Sequence, residues 1–295
     1  MSYYFKNIGC TLLLLTICMT MNAQHHVISL WQDKIPNEKS SNLKEESTIT
    51  DTQRIKNVRN PSIEVYLPSN SNSVRRAVMI CPGGGYGILA YDKEGTDFAK
   101  WLNGYGIAGI VLKYRLPEDD SNKTPHLSPL MDAKQGMKII KDSAAVWGID
   151  ADKIGVMGFS AGGHLASTLG THFDSENRPD FMALIYPVIT MQSDFTHMGS
   201  RNNLLGENPD KALVDLYSNE MQVTHNTPPT FILHSADDQA VPVENSLQFY
   251  QALNDHQVPV EMHLYPQGGH GYGFGRHNTH LSGWSLLLID WLQQL

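Results

Sequence analysis

The chain has 295 residues, 41% hydrophobic and 18% charged, enough for one large domain with a substantial core. Its formal net charge is −8 with histidines neutral, and Arg75-Arg76 is the one basic pair, which argues against nucleic acid or an anionic membrane surface as partner. Of three cysteines, two lie in the first 24 residues, so a chain trimmed there keeps Cys81 alone and can form no internal disulfide.

The first 24 residues read as a secretory signal peptide. Lys6 opens a short positive region, an apolar run extends from Ile8 to about Met21, and small Ala23 precedes Gln24. The run is shorter than the ~20 residues a spanning helix needs, so no membrane insertion of the mature chain is expected. Export to the periplasm or medium follows from this reading. Residues 25–60 are polar and weakly patterned, and read as a loosely ordered lead-in.

From residue 61 to residue 295 the chain settles into a rhythm. "SIEVYLP" alternates as a half-buried strand, "RRAVMICP" is a strand, and "DKEGTDFAKWLNGYG" is an amphipathic helix. "IAGIVLKYRLP" is a strand, and "LSPLMDAKQGMKIIKDSAAVWG" a helix closed by Gly148. "KIGVMGF" and "AGGHLASTLGTHF" form the next strand and helix, and "FMALIYPV" and "PTFILHS" are further strands. "VENSLQFYQALNDHQ", "VEMHLYP" and "HLSGWSLLLIDWLQQL" complete the series as helix, strand and helix. Strands alternating with helices predict an α/β fold with a mostly parallel sheet covered on both faces. Ile189 to Pro228 breaks the rhythm, either as a helical cap or as a surface insertion before the strand that carries an acidic residue.

Ligands of an open parallel sheet sit beyond the carboxyl ends of its strands. One strand end delivers Ser160 in Gly158-Phe159-Ser160-Ala161-Gly162, and another delivers "PGGGYG", Pro82 to Gly87. A third delivers Asp237 and Asp238, and a fourth His270 in "QGGHGYGFG". G-x-S-x-G between strand and helix is a nucleophile elbow, whose tight turn needs tiny flanking residues and aims a helix N-terminus at the serine. The order Ser, Asp, His completes a triad: Ser160 as nucleophile, His270 as base, Asp238 holding the imidazole, with Asp237 the alternative. The amides of Gly84, Gly85 and Ala161 are candidate oxyanion donors, since glycine lets backbone approach a ligand. His164, on the helix after the elbow, and Cys81, in an apolar run, read as structural.

Other chemistries fit poorly. No lysine follows the glycine loop at Walker spacing, and the next strand ends in Lys113 and Arg115 instead of the acid a dinucleotide needs. His270, His277 and His280 lack helical spacing and carboxylate support, so neither metal nor cofactor is expected.

"CPGGGYGILAYDKEGTDFAKWLNGYGIAGIVLKYRLP", "DKIGVMGFSAGGHLAST" and "HSADDQAVPVENSLQFYQAL" together resemble the α/β-hydrolase esterases, in particular the exported bacterial acetyl xylan esterase-like and xylanase-associated group. The resemblance runs from about Ile63 to Leu295. Pro82 stands where lipase-like relatives carry a histidine before the glycines, as is usual in that group. The resemblance implies an eight-stranded sheet, a Ser-His-Asp triad and removal of acetyl or other short acyl groups from plant polysaccharides such as acetylated xylan. It makes Tyr86 and the loop Tyr272 to Phe274 candidate sugar contacts, with packing the plainer reading for Phe274. Two alternatives stay open: a prolyl oligopeptidase-like peptidase, whose usual propeller finds no counterpart in this sequence, and a non-catalytic glycan-binding relative.

Overall fold

The structure, a computed structural model, describes residues 25–69, 75–275, 278 and 280–295. The expected signal segment, residues 1–24, and His277 lie outside the described residues. In chain order the strands are β1 (His25–Ser29), β2 (Glu46–Ile49), β3 (Gln53–Lys56), β4 (Ser62–Tyr66), β5 (Arg75–Cys81), β6 (Leu89–Ala90), β7 (Ala108–Lys113), β8 (Ile149–Phe159), β9 (Met182–Ile185), β10 (Thr230–Ser235) and β11 (Val260–Tyr265). The helices are α1 (Asp97–Asn103), α2 (Leu127–Trp147), α3 (Ala161–Thr171), α4 (Met198–Leu205), α5 (Lys211–Tyr217), α6 (Glu244–Asp255) and α7 (Trp284–Gln294).

Eight strands form the main sheet in the order β1-β4-β7-β5-β8-β9-β10-β11. The pairs from β7 to β11 are parallel, while β4 runs antiparallel to β7 and β1 antiparallel to β4. Strand β7 shows why it needs helices on both sides. A Cβ on Gly109 would meet Ala99 of α1 at 2.4 Å, and Val111 lies against Gly95 just before α1. Leu112, the next residue, lies against Gly136 of α2. Successive strand residues face opposite ways, so both faces are covered and the strand is apolar throughout. Helix α2 stops where Gly148 takes a left-handed conformation, φ 64°, with its amide on the carbonyls of Ala144 and Ala145.

The lead-in requires a correction. Residues 25–60 are built into the fold: β1 pairs with β4 over five residues, from His25↔Tyr66 to Ser29↔Ser62. Strands β2 and β3 join β6 in a second, three-stranded sheet. A buried ion pair fastens the segment between them. Arg115 grips Asp132 through Nε and Nη2 at 2.9 and 2.8 Å. The Trp31 indole N–H donates to Asp132 at 2.9 Å, and Arg115 Nη1 donates to the Pro36 carbonyl at 2.6 Å. Lys113 reaches Glu45 at 2.6 Å. Polar composition hid this, because the segment is held by polar groups more than by an apolar stripe.

The irregular stretch from Ile189 to Pro228 is a helical cap containing α4 and α5. Its Asn219 donates to the carbonyl of His164 and to Ser167 on α3. Among the described residues no helix is long and apolar enough to cross a membrane.

Candidate active site

The strand-to-helix turn after β8 is as tight as the glycines imply. Ser160 sits at φ 52°, ψ −120°, a conformation a non-glycine residue adopts only under constraint. Its amide donates to the Ile185 carbonyl at 3.1 Å, and its own carbonyl accepts from Val188 and His164. A Cβ on Gly158 would meet the Gly162 carbonyl oxygen at 2.1 Å, and one on Gly162 would meet that of Cys81 at 2.1 Å. The second contact matters most. It brings the first turn of α3 backbone-to-backbone against the start of the glycine loop that follows β5.

Three strand ends converge on this turn. Ser160 Oγ lies 2.8 Å from His270 Nε2, and His270 Nδ1 lies 2.6 Å from Asp238 Oδ2. The contacts set one arrangement of protons: Nδ1–H donates to the carboxylate, and Nε2 accepts from the serine hydroxyl. Asp238 has a fully buried side chain and also accepts the amides of Ala240 and Val241, each at 2.9 Å. Burial raises its pKa, but hydrogen bonds from His234 and His270 and the amides outweigh burial and hold it well below the carboxylate range. These contacts favour the ionised carboxylate.

Adjacent Asp237 has a different task. Its Oδ1 accepts the amides of Gly268 and Gly269, both at 2.8 Å, which braces the loop carrying His270. That loop is tied again at Gly273, whose amide donates to the Tyr186 hydroxyl and whose carbonyl accepts from the Trp284 indole.

Gly84 (φ 128°) and Gly85 (φ 63°) both use backbone space closed to other residues, and both line the cleft that holds Ser160. Gly83 donates its amide to Glu94 Oε2 at 3.0 Å, whereas the amides of Gly84 and Gly85 have no protein acceptor among the described residues. Ala161 begins α3 directly after the serine, at the positive end of the helix. Two of the candidate oxyanion donors thus belong to the loop that lines the Ser160 cleft, and the third directly follows Ser160 in the chain.

Tyr86 requires a correction. At φ 62° its side chain turns into the protein, where it is 2% exposed, and its hydroxyl bonds His164 Nδ1 at 2.8 Å. It cannot touch a sugar. Phe274 stacks on Phe98 with centroids 3.7 Å apart, so it packs, and both it and Tyr272 border a larger cavity that shares His270 and Gly271 with the Ser160 cleft. Cys81 is fully buried and free, and burial pushes its thiol up, leaving it inert. Among the described residues no cluster of three His, Cys, Asp or Glu could hold a metal ion.

Sequence reasoning missed three contributors. Glu94 is buried beside the glycine loop and accepts from Tyr186 at 2.9 Å. Burial raises its pKa, and the Tyr186 hydroxyl and Gly83 amide offset part of this. It links the glycine loop to the His270 loop through Tyr186. The β2–β3 turn, with Asp51 and Thr52, walls the cleft, as does His197 from the cap. An acid seven residues past the glycine loop was the available signal for Glu94; for the others the sequence carries none.

His164 confirms its structural reading and gives a test. It is fully buried, with Nε2–H donating to the Tyr217 carbonyl at 2.8 Å and Nδ1 accepting from Tyr86. Burial lowers its pKa from 6.5 to about 4. Above pH 6.5 the group is neutral folded and unfolded. As pH falls from 6.5 towards 4, the unfolded chain takes up a proton the folded chain refuses, so stability is lost in that window, on the order of 3 kcal/mol at about 1.4 kcal/mol per unit. Burial also lowers His126 and His172, which add to the slope. Melting curves from pH 7 to 4 should show the loss. His164→Gln, less stable at pH 7, should show a flatter profile; an unchanged slope would place the acid sensitivity elsewhere.

A nucleophile elbow at the centre of a mostly parallel eight-stranded sheet, with an acid and a histidine delivered by later strand ends, defines an α/β hydrolase. The chain matches the BD-FAE family over residues 63–253. It belongs to that family. It is 42% identical over 214 residues to an acetylxylan esterase of Xylanibacter ruminicola, which covers 71% of this chain and 43% of that protein. It is 36% identical over 237 residues to endo-1,4-beta-xylanase B of Butyrivibrio fibrisolvens, covering 76% of this chain and 36% of that protein. The chain thus spans less than half the length of either relative. Among solved structures it resembles an acetyl ester-xyloside bifunctional hydrolase from Caldicellulosiruptor lactoaceticus, with TM-score 0.80, 38% identity, and 91% of this chain and 96% of that one covered.

Proposed function

We propose that this protein is a serine carboxylesterase that removes acetyl, or other short acyl, groups from xylan-type polysaccharides or their oligosaccharides. The observation that carries the proposal is the unbroken Ser160–His270–Asp238 contact chain, opening on a cleft of about 270 Å³ beneath the glycine loop. A cleft that small suits a short acyl group. The acetylxylan esterase relative and the acetyl ester-xyloside hydrolase structure support the substrate class.

The chemistry follows from the parts. Ser160 Oγ attacks the ester carbonyl carbon as His270 Nε2 takes its proton, and Asp238 stabilises the imidazolium. The carbonyl oxygen becomes an oxyanion facing the amides of Ala161 and of Gly84 or Gly85, each such donor contributing on the order of 3 kcal/mol. The C–O bond to the sugar breaks, and the leaving oxygen takes the proton from His270. An acyl group remains on Ser160. Water then gives a proton to His270 and attacks the acyl carbon; the Ser160–acyl bond breaks, Ser160 regains its proton, and acetate leaves.

Acetate release from acetylated xylooligosaccharides, measured beside p-nitrophenyl acetate, tests this reading. Turnover of both substrates is expected. Cleavage of the aryl ester alone would retain the mechanism and discard the xylan substrate, and turnover of neither would discard the esterase.

A further inference from the structure

The cap supplies one side chain to the cleft that the reaction above leaves without a task. His197 stands immediately before α4, and its ring lines the same cleft as Ser160 and His270. Its Nδ1 accepts from the Ser200 amide at 3.2 Å and contacts the Ser200 hydroxyl at 2.8 Å. A backbone amide can only donate, so Nδ1 carries no proton and the neutral ring carries its hydrogen on Nε2. Burial lowers the pKa of His197, and nearby His270 adds to this, which keeps the ring neutral. Among the described residues Nε2 bonds no protein group.

The ring is also held in place relative to the oxyanion loop. Its Cε1 lies 3.7 Å from where a Cβ on Gly85 would stand. Five residues into α4, Asn203 donates to the Gly85 carbonyl at 2.8 Å. Helix α4 is therefore anchored to the glycine loop, and His197 presents its N–H donor in the cleft that holds Ser160.

We propose that His197 is a specificity-determining residue that donates a hydrogen bond from Nε2 to an oxygen of the sugar alcohol next to the acetylated carbon. The proposal rests on the reading of acetylated glycans as substrate. The substrate's own chemistry selects the acceptor. The acetyl carbonyl oxygen is served by the loop and helix amides, and the methyl group accepts nothing. The oxygens left to receive the Nε2 proton are those of the sugar. The donor would then favour a polyol leaving group over an aryl one, giving the cap a part in specificity.

The ring also caps α4, so the test separates the two tasks. His197→Asn keeps a side-chain acceptor suited to a helix N-cap, but its shorter side chain leaves the amide N–H short of the place where the Nε2 proton stands, whereas His197→Ala loses both groups. Steady-state kinetics on acetylated xylooligosaccharides and on p-nitrophenyl acetate, with melting temperatures, are measured for wild type and both variants. Both variants should lose kcat/KM on the oligosaccharide by about tenfold more than on the aryl ester, chiefly through KM, with the melting temperature held in His197→Asn. Wild-type kinetics in His197→Asn with loss confined to His197→Ala would reduce His197 to a cap and overturn the proposal. Equal losses on both esters would overturn it too, assigning the ring to the glycine loop's shape. Wild-type enzyme that cleaves only the aryl ester would end the glycan reading and this proposal with it, and that outcome shows in the wild type before any variant is compared.

Discussion

Ser160→Ala should lower kcat on p-nitrophenyl acetate on the order of 10⁶-fold, with the fold intact. In the proposed mechanism the hydroxyl forms the acyl bond, and neither neighbour can replace it: His270, 2.8 Å away, serves as the base and Cys81 is fully buried. The substitution should be gentle on structure. Ser160 occupies φ 52° because Gly158 and Gly162 are locked against neighbouring backbone, and alanine meets the same constraint with a smaller side chain. It leaves His270 Nε2 one hydrogen bond short at a partly open site, a cost of about 1 kcal/mol. Initial rates and a melting curve suffice. Residual activity within a hundredfold of wild type would move the nucleophile to another residue.

The second large effect separates two neighbours. Asp238→Asn should cost about 10⁴-fold in kcat, because the amide presents an N–H₂ where His270 Nδ1–H needs an acceptor and so favours the wrong tautomer. Asp237→Asn should cost about tenfold or less. Its carbonyl oxygen can still receive the amides of Gly268 and Gly269, so the brace weakens without touching the imidazole. The pH profile adds a check: Asp238 is held well below the carboxylate range, so its titration should not appear in kcat/KM above pH 4. Matching losses in the two variants would sink the assignment of Asp238 as the triad acid.

These effects bear on how the site is assembled. The three residues of the proposed triad sit on three strand ends: Ser160 is braced by the ends of β5 and β9, Asp238 by the following turn, and His270 by Asp237, Tyr186 and Trp284. Glu94 joins the glycine loop to the His270 loop through Tyr186. The proposed oxyanion loop and the proposed base are therefore tied to one another by protein contacts, the preorganisation that electrostatic stabilisation of a transition state requires.

The local pattern of residues was enough for much of this molecule. Alternating apolar strands and amphipathic helices marked the parallel sheet, because strands buried on both faces must be apolar throughout. Glycines at 158 and 162 marked the elbow because no larger residue fits the turn, and the order of Ser160, an aspartate and His270 marked the triad. Where distant segments meet, local pattern was silent. The lead-in looked loose because its order comes from pairing with β4 and from the Arg115–Asp132 pair, contacts that leave no periodicity in residues 25–60. Tyr86 looked available until a left-handed backbone turned its ring inward onto His164. Sequence preferred Asp238 to its neighbour Asp237 without showing a contact for either, and the fold set Asp238 against an imidazole and Asp237 against two amides. His197 is unremarkable in a polar stretch, and its place beside Gly85 exists only because α4 packs on the glycine loop. Sequence alone determined which chemical groups the strand ends carry; which of them touch was decided by tertiary packing, because contact depends on how the whole chain closes.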